Sequence, residues 1–300
     1  MPNKTTAAAF DETPISMLRT FTRGAYDLQQ LRIQAGNRLC ASFRVRLGIK
    51  PSTKEEDADK EAQKVLKILR EEFDRITDGV KRDLPSRQGF KPSGIIHSYS
   101  ELCIINQYIS LNRQEESHFR RLEGFLDGFP IWDQYLKNLS GCGPAMSAVL
   151  IISLDPHKAE TPSSFWKYAG MDLGPDGTGR SRREEHLIKV KYVAKDGTEK
   201  EKNSITFNPF LKTKLRVLAS CLIRTKNGKY KSVYDGYKHR LENHPNWVDK
   251  TPLHRHNASL RYMVKIFLLD LWTTWRTIEG LPVRPSYQEE KLGHKHSHAA

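Results

Sequence analysis

Cysteine is scarce in this chain: Cys40, Cys103, Cys142 and Cys221 stand far apart, with no CxxC pair among them. That spacing excludes a disulfide scaffold and a four-thiolate zinc site, and predicts a reducing, cytoplasmic setting. Long apolar runs are missing as well. None approaches the ~18 residues of a membrane span, so no membrane association is expected. The first 14 residues lack a basic segment followed by an apolar one, so no secretory signal is expected. Acidic residues are outnumbered, 35 against 49 Lys and Arg, which leaves a net charge of +14.

The basic excess is confined to one region. Residues 180–280 hold 22 basic and 10 acidic side chains, a net of +12, and the rest of the chain is close to neutral. A block of this kind predicts a polyanion partner, because neutralising phosphates releases condensed counterions. DNA is the expected partner and RNA the second class. A homo-oligomer is also expected. No cofactor is expected.

Apolar spacing predicts a mainly α protein. Over 15–47, Leu28, Leu31, Ala35, Leu39 and Phe43 step by three and four, one face of an amphipathic helix. Pro51 interrupts it, and Ser52 with Glu55 fits a capping box for a second helix lined by Ala62, Val65, Leu66, Leu69, Phe73 and Ile76. Residues 82–94 read as a linker. A long helix, or two stacked ones, is expected up to Gly128. Further helices should start at Pro130, Pro144, Pro162 and Pro209. Helices over 229–242 and 256–278 follow, the last with Leu260, Met263, Val264, Phe267, Leu271 and Trp275 inward. Only residues 187–207 break the helical period; β-branched alternation around Asp196-Gly197 predicts one β-hairpin. The expected organisation is an N-terminal helical bundle or coiled coil (1–94), a helix-hairpin-helix DNA-binding domain with one inserted β-hairpin (95–280), and a polar His-rich tail (281–300).

Gly141-Cys142-Gly143-Pro144 is the sharpest local motif. Two glycines allow a tight turn with uncovered amides, and the helix that follows presents free N–H groups and the positive end of its dipole. A DNA phosphate suits that site; an αα-turn without a ligand is the plainer alternative.

From this motif onward the chain resembles a known family. Gly141-Cys142-Gly143-Pro144, an apolar helix, Asp155, Phe165 and Tyr168-Ala169-Gly170-Met171 look like the C-terminal half of the insertion-sequence transposases that join a DEDD nuclease-like domain to a serine-bearing helix-hairpin-helix domain. The resemblance covers about residues 125–280. It implies DNA transposition or recombination, and it places a catalytic serine in the glycine-rich loop, here Gly177-Thr178-Gly179-Arg180-Ser181. The family's N-terminal domain, with strands carrying four acidic metal ligands, has no counterpart before Gly128. The alternative is therefore a non-enzymatic DNA-binding protein of a mobile element or phage.

Ser181 is the nucleophile candidate, with Arg180, Arg182 and Arg183 to hold a phosphodiester. A simple clamping loop is the other reading. Carboxylates that could converge on Ser181 are Asp172, Asp176, Glu184 and Glu185. Further DNA contacts are expected from Gly141, Gly143, Lys212, Arg216, Arg261 and Lys265. No metal site is expected, although His239, His244, His254 and His256 crowd one region. Trp247, Trp272, Trp275, Tyr230, Tyr234 and Tyr237 could stack on bases, but core packing is the simpler role for most.

Overall fold

Apolar stripes at helical spacing, most of them introduced by a proline that suits the first helical turn, give a chain built almost wholly of helices. The computed structural model describes residues 13–49, 55–77, 84–225 and 228–284. Within them are nine α-helices: α1 (Pro14–Phe43), α2 (Glu55–Ile76), α3 (Tyr99–Leu126), α4 (Pro130–Gln134), α5 (Pro144–Ser153), α6 (Pro162–Tyr168), α7 (Pro209–Leu222), α8 (Lys229–Glu242) and α9 (Pro252–Ile278). The one sheet among the described residues is an antiparallel pair, β1 (Ile188–Val193) and β2 (Glu199–Ser204), in the register Ile188↔Ser204 to Val193↔Glu199. Ser52 of the expected capping box and the tail histidines His294, His296 and His298 lie outside the described residues.

The chain divides into two compact units, Met1–Glu123 and Gly124–Ala300. In the first, Leu39 and Phe43 of α1, Val65, Leu69 and Phe73 of α2, and Leu102, Ile105 and Ile109 of α3 share one core with Ile96 of the preceding loop. The stripe expected along α1 holds only in its last turns. Leu31 is exposed, and the buried face runs through Leu18, Thr22, Ala25, Gly36 and Leu39. The reason is polar: Gln29 donates to Glu115 at 3.0 Å and Arg32 pairs with the same carboxylate, which lies buried on α3. A buried carboxylate needs a partner, and this pair turns the helix to provide one.

In the second unit α5 is apolar almost all round, with Ala148, Val149, Leu150 and Ile151 buried. Helix α7 packs Leu211, Leu215, Leu218 and Leu222 inward, each burial contributing roughly 1.5–3 kcal/mol. Asn208 caps it by accepting from the Leu211 N–H at 3.0 Å. Helix α9 starts at Pro252, a turn earlier than its apolar stripe suggests, because the Thr251 hydroxyl accepts from the His254 N–H at 3.3 Å. Met263, Val264, Phe267, Leu271 and Trp275 are buried as expected, while Leu260 is only half-buried. Trp272 is buried too; its indole donates to the Ala159 carbonyl at 2.8 Å. The β1–β2 ribbon differs from everything around it, since all but one of its residues are exposed.

Candidate functional site

The turn at Gly141 forms, but the helix expected to run from Pro130 up to it stops at Gln134. Helix α4 gives way to a 3-10 turn over Leu136–Asn138, Gly141 takes a φ of +92°, and Gly143 stands at the N-cap of α5. Both glycines are exposed, and Cys142 between them is buried. Burial pushes the Cys142 thiol up to about 11, so it is a packing residue and not a nucleophile. A Cβ on Gly141 would meet the Cys221 backbone at 3.3 Å, so the hairpin is seated on the C-terminal end of α7.

The Ser181 loop lies at the other end of that helix. Residues 172–180 fold back on themselves: Leu173 and Gly179 form a β-bridge, the Gly174 N–H donates to the Thr178 carbonyl at 2.8 Å, and the Arg180 N–H to the Asp172 carbonyl at 3.2 Å. At the tip, Asp176 accepts from the Thr178 N–H and hydroxyl at 2.9 and 2.7 Å. Gly174 is needed for close approach, because a Cβ there would strike the His186 ring, while a Cβ on Gly179 would displace only the end of the Arg261 side chain.

This closure brings Ser181 to His186, a residue that sequence reasoning did not single out. His186 is buried; its Nδ1 lies 2.9 Å from Ser181 Oγ and its Nε2 3.0 Å from Asp176 Oδ1. The Ser181 N–H also donates to Nδ1, at 2.9 Å, and the Arg183 N–H donates to Ser181 Oγ at 3.2 Å. Hydrogen bonds from Thr178 and then His186 hold the Asp176 carboxyl far below the usual carboxylate range. Of the four carboxylates proposed to converge, Asp176 reaches Ser181 through His186, and Asp172 is held by Arg180 at 2.7 Å. Glu184 and Glu185 sit exposed in a short 3-10 turn.

The cations divide into struts and exposed groups. Arg180 is bound to Asp172 and to the Leu173 carbonyl, and Lys212 donates to the Arg180 carbonyl and lies 4.6 Å from the centre of the Phe207 ring. Lys265 stands 4.3 Å over the Trp166 ring. Burial lowers the amine pKa of Lys212, with Arg216, Arg261 and Arg180 adding to the effect; burial and then Arg261 lower that of Lys265. Arg182, Arg183 and Arg216 are exposed, and Arg261 is half-buried against Gly179. The structure thus gathers Arg180, Ser181, Arg182, Arg183, Lys212, Arg216, Arg261 and Lys265 at one end of α7. Gly141 and Gly143 are set apart, since nine residues of helix between Lys212 and Cys221 span about 13 Å.

Residues 133–194 match the transposase IS116/IS110/IS902 family. The matched segment carries the hairpin, α5, α6, the whole Ser181 loop and β1, about a fifth of the chain. No curated protein and no solved structure matches. Lys212, Arg216, Arg261 and Lys265 fall outside the transposase-like segment, yet Lys212 and Arg261 meet its serine loop and Lys265 its Trp166 ring.

Among the described residues no group of three or more His, Cys, Asp or Glu side chains is placed to hold an ion. The four crowded histidines are engaged one by one: His239 with Asn243, His244 with the Asn246 N–H, His254 edge-on to Trp247, and His256 with the Tyr234 hydroxyl at 2.6 Å. Tyr230 and Tyr234 are core residues, as are Trp272 and Trp275, and Tyr237 stacks on Tyr262. Trp247 is half-buried beside a cleft of about 500 Å³ that Asp176, Gly179 and Arg261 also line. No helix among the described residues is long and apolar enough to cross a membrane.

Proposed function

We propose that residues 124–284 bind DNA through its phosphate backbone in a transposition or recombination reaction, with Ser181 as the nucleophile that takes over a phosphodiester. The observation that carries this is the crowding of basic side chains around a serine loop that belongs to a transposase-like segment. Like charges gathered at one place cost energy in the free protein, and a polyanion relieves that cost. Arg182 and Arg216 are exposed and available to phosphates, whereas Arg180 and Lys212 are turned inward to hold the loop. The binding expected is weakly sequence-selective, because nothing in the cluster is arranged to read base edges and backbone contacts carry no sequence information. A second reading, a non-enzymatic clamp, draws support from those two inward cations, which brace the loop as a rigid phosphate seat.

Duplex binding and strand cleavage with Mg²⁺ test both. Replacing Arg182 and Arg216 with Ala is expected to flatten the slope of log affinity against log salt by about 2, close to 1 per lost phosphate contact. An unchanged slope rejects this surface. Ser181→Ala is expected to abolish a covalent protein–DNA adduct while leaving binding intact. If the wild-type chain forms no adduct and Ser181→Ala is neutral throughout, the clamp is correct.

A further inference from the structure

We infer that His186 is the general base for the Ser181 hydroxyl and that Asp176 positions it, so that the three side chains form one proton relay. The inference rests on the reading of Ser181 as a nucleophile. It begins with the ring's tautomer. A backbone N–H keeps its proton, so the Ser181 N–H, 2.9 Å from His186 Nδ1, requires that nitrogen to be an unprotonated acceptor. The single ring proton of neutral His186 therefore sits on Nε2, where it is donated to Asp176 Oδ1 at 3.0 Å. The main chain has fixed the tautomer that a base facing Ser181 must have.

The hydroxyl is equally constrained. Ser181 Oγ accepts from the Arg183 N–H at 3.2 Å, which occupies one lone pair. Its own proton then points at Nδ1, 2.9 Å away, where it shares the single ring lone pair with the Ser181 N–H, and proton transfer requires that N–H to give up its bond to the ring. In the step itself, the Ser181 O–H bond breaks and its proton passes to His186 Nδ1, while Oγ forms a bond to phosphorus. The bond from phosphorus to the leaving deoxyribose oxygen breaks, and that oxygen departs with the electron pair and takes a proton from water, leaving a hydroxide that the His186 proton later neutralises. Serine is left joined to the DNA phosphate, and Asp176 balances the imidazolium. Because Asp176 reaches Ser181 through the ring, it is a positioning residue.

Loop closure alone would account for the same contacts, and a single substitution separates the two roles. Glutamine can accept from the Ser181 N–H through its carbonyl and donate to Asp176 through its amide, so it can bridge the loop, but it cannot take a proton. The test treats the full chain with a fluorophosphonate, which loses fluoride as a serine oxygen bonds to its phosphorus, and maps the label by mass spectrometry. Wild type is expected to be labelled at Ser181, and Ser181→Ala not at all. His186→Gln is expected to slow labelling by about 100-fold or more, with salt-dependent DNA affinity and melting temperature unchanged. Should that variant melt early, Asp176→Asn carries the test, because asparagine keeps an oxygen to accept from the Thr178 N–H and removes only the charge facing the ring. It should label more slowly than wild type and faster than His186→Gln. Labelling at the wild-type rate in both variants, or no labelling of wild-type Ser181, overturns the relay. Loss of salt-dependent DNA binding with labelling intact overturns the DNA reading instead.

Discussion

Lys212 and Lys265 are the residues whose chemistry should report most directly on the proposed ligand. Burial first, and neighbouring guanidiniums second, lower both amine pKa values. A phosphate bound by the exposed arginines nearby offsets the second effect and raises the values again. In the pH range between the free and bound values the free amines are partly neutral and the bound ones charged, so binding takes up protons there and affinity falls as pH rises. Calorimetric titration in alkaline buffers of differing ionisation enthalpy should reveal that uptake, and it should shrink at a pH below that range. Heats that track the buffer identically at both pH values would mean that no phosphate binds near enough to act on these amines. At this scale the sequence was only partly legible. Ser181 and its arginines stood out by residue type, but His186 did not, because its partners lie five and ten positions back and meet it only when the Gly174–Thr178 turn closes.

Elements were more legible than single contacts. Six of the nine described helices begin with a proline in the first turn, so their starts can be read directly. Leu211, Leu215, Leu218 and Leu222 announced the buried face of α7 without ambiguity. Where the reading failed, at Leu31 of α1, the cause was a carboxylate 83 positions away in sequence that claims Arg32, and no local period encodes such a partner. The β1–β2 ribbon was found by its alternation, but alternation normally marks a half-buried strand, and this ribbon buries neither face. Its apolar side chains Ile188, Val190 and Tyr192 therefore contribute little to stability. Joining Ile188 to Ser204 through Asn-Gly, a two-residue hairpin turn, should leave the melting temperature within a few degrees of wild type. A large fall in a thermal denaturation curve would mean that the ribbon carries packing not visible in its exposure.

At the scale of the whole molecule, the second unit is assembled from sequence on both sides of that ribbon. Helix α5 packs on α7, and α4 and α6 pack on α9, so the halves before and after residues 188–204 complete one another's cores. Trp166 and Trp272 make the same point through hydrogen bonds to Lys265 and Ala159 across the division. The segment that matches the transposase family ends at residue 194, inside the ribbon's turn. A fragment limited to 133–194 would expose the apolar faces of α5 and α6 and lack four of the cations gathered at Ser181. It should show no cooperative melting and no salt-sensitive DNA binding; a sharp transition from that fragment would mean the matched segment is autonomous.

The exposure of the ribbon has one more consequence. Lys189, Lys191, Lys195, Lys200 and Lys202 are all accessible there, on backbone that touches little else, so a trypsin-like protease is expected to cut where the unit tolerates being divided. A nicked chain would stay whole in solution and come apart only in denaturant. Two separately expressed pieces, divided within the ribbon, would find each other as subunits do, and the reactive loop and most of its cations would arrive on different polypeptides.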